Sequence, residues 1–312
     1  MRARIGGSIG GSIGGSARGS RYAAEGALVV AALFYGITFP LVRDALRDIT
    51  PFAYLVGRFT VATACVAPFA VRAYRGADAE TRRLVLRAGA LAGVLLFAGY
   101  ATQTVGLQYT TASTSAFITG LNVVFVPVIV ACMHRRLPSG SVCAGIGLAV
   151  VGLYLLTGAD LALGRGDLLT LACAVLFAFH IVSISAYVNR VPQAPFTTSQ
   201  LALVAVLCIP PTAAQGTGSV TTLAVVAIVF TGVACSAIAL PLQVWGQHRI
   251  PATRAALILL SEPVFVAVAS YVNGERLDTT QLVGAVVILV GIGVSELGPR
   301  RSSLPAEVPW LS

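Results

Sequence analysis

A chain of 312 residues and 32.1 kDa could fill two soluble domains, yet 56% of it is apolar, 11% is charged and the mean hydropathy is +0.85. A soluble domain keeps about 25% of its residues charged, so 21 basic and 12 acidic side chains are too few to cover a globule of this length. The net charge of +9 does not point to nucleic acid either. Every basic residue is an arginine lying between apolar runs, and no segment interleaves a basic face with aromatics.

About 20 apolar residues cross a bilayer once as a helix, and apolar runs bounded by charges or turn residues predict ten such helices. Before them, residues 1–25 read as a flexible cytoplasmic tail in which Ile-Gly-Gly-Ser occurs three times in succession. The predicted spans are 26–42, 52–71, 88–106, 112–133 and 141–157, then 168–188, 196–214, 223–245, 255–272 and 281–295. Residues 298–312 form a second cytoplasmic tail. Connections are short, so the helices should cluster as one all-α membrane domain. Six cysteines (Cys65, Cys132, Cys143, Cys173, Cys208, Cys235) fall inside apolar segments without a CxxC pair, and read as small buried apolar side chains rather than metal ligands or disulfides.

Arginine placement sets the orientation. With the N-terminus inside, the segments assigned to the cytoplasm hold 16 arginines and those assigned outside hold four: Arg43, Arg47, Arg165 and Arg276. The positive-inside rule then predicts cytoplasmic N- and C-termini and an even number of spans. A gap-free shift of 139 positions aligns Gly93 with Gly232, Gln108 with Gln247, Ala116 with Ala255, Gly145 with Gly284 and Gly152 with Gly291. This divides the chain into a first repeat at 26–157, a linker at 158–167 and a second repeat at 168–297. Five helices per half is an odd number, so the second half should enter the membrane inverted. Arg136 inside and its mate Glu275 outside fit that arrangement. Inverted repeats are a frequent architecture of secondary transporters.

The second half carries Ala255-Ala256-Leu257-Ile258-Leu259-Leu260-Ser261-Glu262-Pro263-Val264-Phe265, then Gly274-Glu275-Arg276-Leu277 and Gly284-Ala285. With Thr111-Ala112-Ser113-Thr114-Ser115-Ala116-Phe117, Asn122 and Pro127 in the first half, the sequence resembles the EamA-like transporters of the drug/metabolite transporter superfamily over about 26–297. It departs from them at Arg136, where the family often has Glu, and at Tyr35-Gly36, where it often has Trp-Gly. The resemblance implies a ten-helix inner-membrane carrier, usually an exporter of amino acids, other metabolites or toxic compounds, with no particular substrate.

Charges at membrane depth cost about 2.5–3.5 kcal/mol at a helix centre on insertion scales, so each needs a reason. Glu262 lies near the middle of the ninth span and could carry a proton or bind a cationic group. A structural carboxylate paired with Arg58 is the alternative. Arg58, near the outer end of the second span, could meet a substrate carboxylate, pair with Glu262 or snorkel outward. Thr38, Tyr100, Gln103, Thr119, Asn122, His180, Gln243 and Trp245 are uncharged polar residues inside spans. Three or four of these eight are expected to line a cavity, the others to bond neighbouring helices. Pro40, Pro68, Pro127, Pro241 and Pro263 weaken the backbone ladder where they fall. Gly89 with Gly93, Gly145 with Gly152, and Gly284 with Gly291 read as close-packing faces.

The reading is therefore a secondary transporter of a small metabolite, amino acid or drug-like solute, an exporter, with protons as candidate coupling ions. Its expected partners are the lipid bilayer and a small-molecule substrate, with no nucleic acid, metal or cofactor. A channel or receptor-like membrane subunit is the alternative. An intramembrane enzyme is disfavoured, because His134, His180 and His248 are far apart and no HExxH is present. The chain has no lysine and hence no Walker A motif, which excludes ATP-driven transport by this chain alone.

Overall fold

The computed structural model describes residues 13–135, 137–158, 164–272 and 278–296. Arg136, Glu275 and Arg276 lie outside the described residues, as do half of the predicted linker (159–163) and the predicted C-terminal tail. The described chain is helical throughout, its only β pairing an isolated bridge between Ile49 and Gly218. Its helices stack end to end into ten rods. The first is α1 (Ile13–Ile37) with α2 (Phe39–Ala45). The second is α3 (Pro51–Arg75) and the third α4 (Ala79–Gly106). The fourth is α5 (Ala112–Gly120) with α6 (Asn122–His134), and the fifth is α7 (Gly140–Thr157). The sixth is α8 (Arg165–Tyr187) and the seventh α9 (Gln193–Gln215). The eighth runs from α10 (Thr222–Thr231) through a π-helical segment (Gly232–Ala239) into α11 (Leu240–Gln247). The ninth is α12 (Ala252–Leu259) with α13 (Glu262–Val272), and the tenth is α14 (Thr279–Glu296). Among the described residues nine helices are long and apolar enough to cross a membrane, and Thr279–Ser295 is a shorter apolar helix.

Helix ends differ from the predicted limits because a helix does not stop where its apolar run stops. The first begins at Ile13, inside the predicted tail, and carries an Arg21–Glu25 pair at 2.8 Å one turn apart. The third begins at Ala79 rather than 88. There the Asp78 side chain accepts from the Thr81 backbone N–H at 2.7 Å, and hydrogen bonds from Thr81 hold its carboxyl below the usual range. Proline at the first position opens α3, and left-handed Arg135 (φ 49°) and Gly158 (φ 55°) end α6 and α7.

The outward faces are apolar, with Phe69, Val226, Val286 and Leu289 all exposed, the reverse of a soluble surface. Cys65, Cys132 and Cys143 lie on exposed faces, while Cys173, Cys208 and Cys235 are buried, so only three of the six fill the core as expected. With no water to drive helices together, small residues that let backbones approach do that work. A Cβ on Gly152 would sit 2.6 Å from the Ile288 nitrogen, and one on Gly284 would fall on the Leu156 nitrogen. The glycines of α7 and α14 thus face each other across the most extensive helix pair in the molecule. Gly89 and Gly93 of α4 likewise meet Ser199, Gln200 and Leu203 of α9.

These contacts recur under the 139-residue shift. Gly93 abuts Gln200, while its mate Gly232 abuts Val61, the mate of Gln200. Gly145 abuts Gly291, while Gly284 abuts Gly152. The pairing of α4 with α8 is matched by that of α11 with α1. The two halves are also clasped at one end. Thr50 donates from N–H to the Thr217 carbonyl (3.0 Å) and from its hydroxyl to the Gly216 carbonyl (2.7 Å). Ser219 N–H donates to the Asp48 carbonyl at 2.8 Å.

Gly284→Ala should therefore destabilise the folded protein by about 1–3 kcal/mol, the usual cost of overpacking, lowering its melting temperature in detergent. Gly147→Ala, where an added Cβ meets nothing within 4 Å, should leave melting unchanged. Equal melting of the two variants would contradict the assigned contact.

Candidate functional site

Four rods are interrupted, each because local chemistry weakens the i to i−4 ladder. Proline has no N–H to donate. Pro40, Pro241 and Pro263 are each the second residue of the helix that resumes after a break or π segment. Pro127 falls five residues into α6, which resumes after Leu121, whereas Pro68 lies within the unbroken α3. The breaks at Leu121 and Leu260–Ser261 fall at positions related by the same 139-residue shift.

A cavity of about 100 Å³ gathers around these interruptions, room for several waters at about 10–15 Å³ each. Thr38 and Tyr35 reach it from the first rod, and Arg58 from the second. Tyr100 and Gln103 come from the third, and Thr119 and Asn122 flank the break in the fourth. Thr104 of the third, His180 of the sixth, Gln243 of the eighth and Glu262 of the ninth complete the polar lining. Leu96, Phe177, Leu240 and Leu259 supply apolar wall.

Nine of the ten residues singled out from sequence thus surround one space, seven of the eight uncharged ones rather than three or four. Trp245 does not. It packs against the apolar cluster that includes Ala24, Leu28 and Ile250, with the Arg249 guanidinium 4.2 Å over its ring, because Arg249 follows one turn later and covers the indole. Sequence reasoning left out Tyr35, Thr104 and Ser236. Tyr35 stands three residues before Thr38 on the same helical face, and Ser236 is another polar residue inside a span, so the signals were present.

Arg58 is only 6% exposed and does not snorkel. Its Nε donates to Ser236 Oγ at 2.9 Å and its Nη2 to the Tyr100 hydroxyl at 3.1 Å. The guanidinium lies 4.6 Å from the Tyr100 ring centroid and 5.4 Å from that of Phe59. Among the described residues no carboxylate stands at ion-pair distance from it, so the predicted Arg58–Glu262 pair is not formed. The π segment explains the placement. Gly232, on its first turn, lets the eighth rod close on the Arg58 carbonyl, and the widened turns present Ser236 to the guanidinium. Cys235 bonds the other way, its Sγ 3.3 Å from Thr38 Oγ1 and donating to the Phe34 carbonyl at 3.0 Å.

Glu262 opens α13, where its backbone carbonyl lies against Gly36. A Cβ at Gly36 would come within 2.6 Å of that oxygen, so this glycine sets the approach of the first rod to the ninth. The Glu262 carboxylate accepts no hydrogen bond from the described side chains and borders the cavity. Other lining groups are tied down. Tyr35 donates to Gln243 Oε1 (2.9 Å), and Gln243 Nε2 to Gln247 Oε1 (3.1 Å). Gln247 in turn donates to the Ile181 carbonyl and to Ser185, both at 2.8 Å. His180 Nε2 is 2.8 Å from Gln200 Oε1, and Gln103 reaches Thr119 at 3.4 Å. Among the described residues no cluster of His, Cys, Asp and Glu suits a metal ion.

An all-helical body with nine membrane-length helices and a polar cavity at their interruptions is the build of a multi-pass membrane transporter. A profile of the EamA-like transporter family matches the chain twice, at residues 23–158 and 164–296. The chain is 32% identical over 279 residues to an uncharacterized transporter of Archaeoglobus fulgidus, covering 89% of this chain and 87% of that one. It is 22% identical over 288 residues to the uncharacterized transporter YyaM of Bacillus subtilis, covering 84% and 89%. A crystal structure at 19% identity superposes with a TM-score of 0.75 over 90% of this chain and 99% of its own, which bears on the fold alone. The chain belongs to the EamA-like transporter family.

In a cysteine-free variant, single cysteines at Gln103 and Asn122 should react with a small, charged, membrane-impermeant thiol reagent. A cysteine at Val286, 59% exposed on the apolar exterior, should not. Inert cysteines at both cavity positions would show that the space is not hydrated.

Proposed function

We propose that this EamA-like transporter is a secondary carrier that moves a small solute across the inner membrane by alternating access and works as an exporter. The observation that carries the reading is the cavity itself. Both halves line it at their interrupted helices, and the breaks at Leu121 and Leu260–Ser261 correspond under the repeat. A site built from two similar halves can open to either side as one half rocks against the other. Five rods in each half, exchange-related contacts and the 16-to-4 arginine distribution support an inverted repeat with both termini in the cytoplasm.

In this reading Arg58 and Glu262 are the charged elements of the site. Thr38, Tyr100, Gln103, Thr119, Asn122, His180 and Gln243 supply hydrogen bonds to the solute. Glu262 carries the coupling proton: among the described residues it is the only carboxylic acid bordering the cavity, and no described donor holds it ionised. The close seams of α4 on α9 and of α7 on α14 each join one repeat to the other, so the rearrangement would fall on the contacts around the cavity.

In proteoliposomes the protein should show saturable counterflow of a labelled solute, accelerated by unlabelled solute on the far side. Linear, unstimulated flux would instead indicate a channel. Glu262→Gln should lose pH-driven accumulation and keep solute exchange. PH-driven flux unchanged in that variant would remove Glu262 from coupling.

A further inference from the structure

Arg58 is set up for a partner that the chain does not supply. Its guanidinium is oriented by Ser236 and Tyr100 and cushioned by two aromatic rings, all uncharged. A guanidinium has five N–H donors in a planar fork that matches a carboxylate or phosphate. Ser236 and Tyr100 each accept a hydrogen bond from it and Tyr54 is a further neutral partner, which leaves donors over, and among the described residues no carboxylate answers it at ion-pair distance. A desolvated cation held rigidly by neutral groups is a receptor for an anion.

The charge balance of the cavity adds a condition. With Arg58 positive and Glu262 negative the lining is neutral, so an entering anion would leave one uncompensated negative charge in a low-dielectric space. One proton on Glu262 restores neutrality. The other ionisable groups facing this region are the phenols of Tyr35 on α1, Tyr54 on α3 and Tyr100 on α4, and the thiols of Cys173 on α8 and Cys235 on the π segment. His180 on α8 is engaged with Gln200. Tyr154 of α7 is turned toward Phe117, with ring centroids 6.3 Å apart. None of these is a second acid. The site also favours an anion over a cation: Arg58 is fixed by its neighbours, whereas no described acceptors are gathered with the Glu262 carboxylate to seat an ammonium.

Building on the carrier reading, we propose that the solute is a small singly charged organic anion, a carboxylate or phosphate diester on an apolar body, which binds Arg58 together with one proton on Glu262. The anionic group takes the free edge of the guanidinium, and the apolar body lies against Phe39, Phe177, Leu96 and Leu259. The proton comes from water on the loading side and leaves with the anion on the other side. The transported pair is therefore electroneutral, and an acid accumulated inside departs with its proton.

The test uses purified protein in detergent and measures binding and thermal stabilisation at pH 6 and pH 8. The probes are benzoate and methyl phenyl phosphate, a singly charged diester, their neutral counterparts benzamide and benzyl alcohol, the cation benzylamine and the zwitterion phenylalanine. At least one anion should bind and stabilise, while its neutral counterpart does not. Its affinity should tighten by up to roughly tenfold per unit of falling pH across the range where Glu262 takes up its proton. Glu262→Gln should bind the anion with no such pH dependence. Arg58→Gln should lose anion binding, and Arg58→Lys, which keeps the charge should the glutamine variant fail to fold, should retain it more weakly. Anion binding unchanged by Arg58→Gln, pH-independent binding in the unaltered protein, or no binding of either anion would overturn the proposal. So would preference for benzylamine or phenylalanine, which leaves the carrier reading intact. That reading stands or falls on counterflow.

Discussion

A bilayer offers no hydrogen bonds, and nearly every feature of this molecule answers to that constraint. Helices satisfy their own backbones, so every described segment long enough to cross the bilayer is helical. Lipid tails are as apolar as leucine, so helices are not squeezed together and must gain contact by close approach. Glycines meet that need. Gly145 and Gly152 on one helix and Gly284 and Gly291 on another bring two backbones to distances that a single methyl group would prevent. The rods around the cavity are treated differently: their ladders are interrupted by proline or loosened into a π turn, and it is there that polar side chains converge. Rigid seams at the periphery and relaxed backbones at the centre follow from one physical rule, applied with glycine in one place and proline in the other.

The buried arginine follows the same logic. A guanidinium at 6% exposure needs its hydration replaced, and Ser236, Tyr100 and two ring faces replace part of it. They do so without a fixed counter-charge, which an ion pair with Glu262 would have provided. A permanent ion pair would be a strut, inert to solute and proton. Held apart across a cavity, the same two groups can each respond to what enters.

Much of this was legible in the sequence, because membrane helices write strong signals. Apolar runs located the membrane-length helices, and nine of the ten residues chosen for polarity at membrane depth border one cavity. Trp245 misled because an aromatic within a span carries no sign of which neighbour covers it, and here Arg249 does. The relation of Arg58 to Glu262 could not be read either. The two lie far apart in the chain, and whether they touch depends on a π segment that composition does not announce. Helix ends were legible only to within a turn or more, since Asp78 and the Arg21–Glu25 pair extend helices beyond their apolar runs. The 139-residue periodicity was visible as scattered glycine identities. Its physical content, exchange of the same contacts between halves, emerged only in three dimensions.

The account stands on one claim, that two halves rock about a shared cavity. Electron–electron resonance distances test it directly. One pair of spin labels, at Tyr109 and Thr217, spans loops at the end where Asp48 and Thr50 clasp residues 216–221. A second pair, at Leu137 and Arg190, spans loops at the opposite end. The account predicts two distance populations for each pair, shifting in opposite senses at the two ends when pH or solute is changed. A single distance at both ends under all conditions would contradict it.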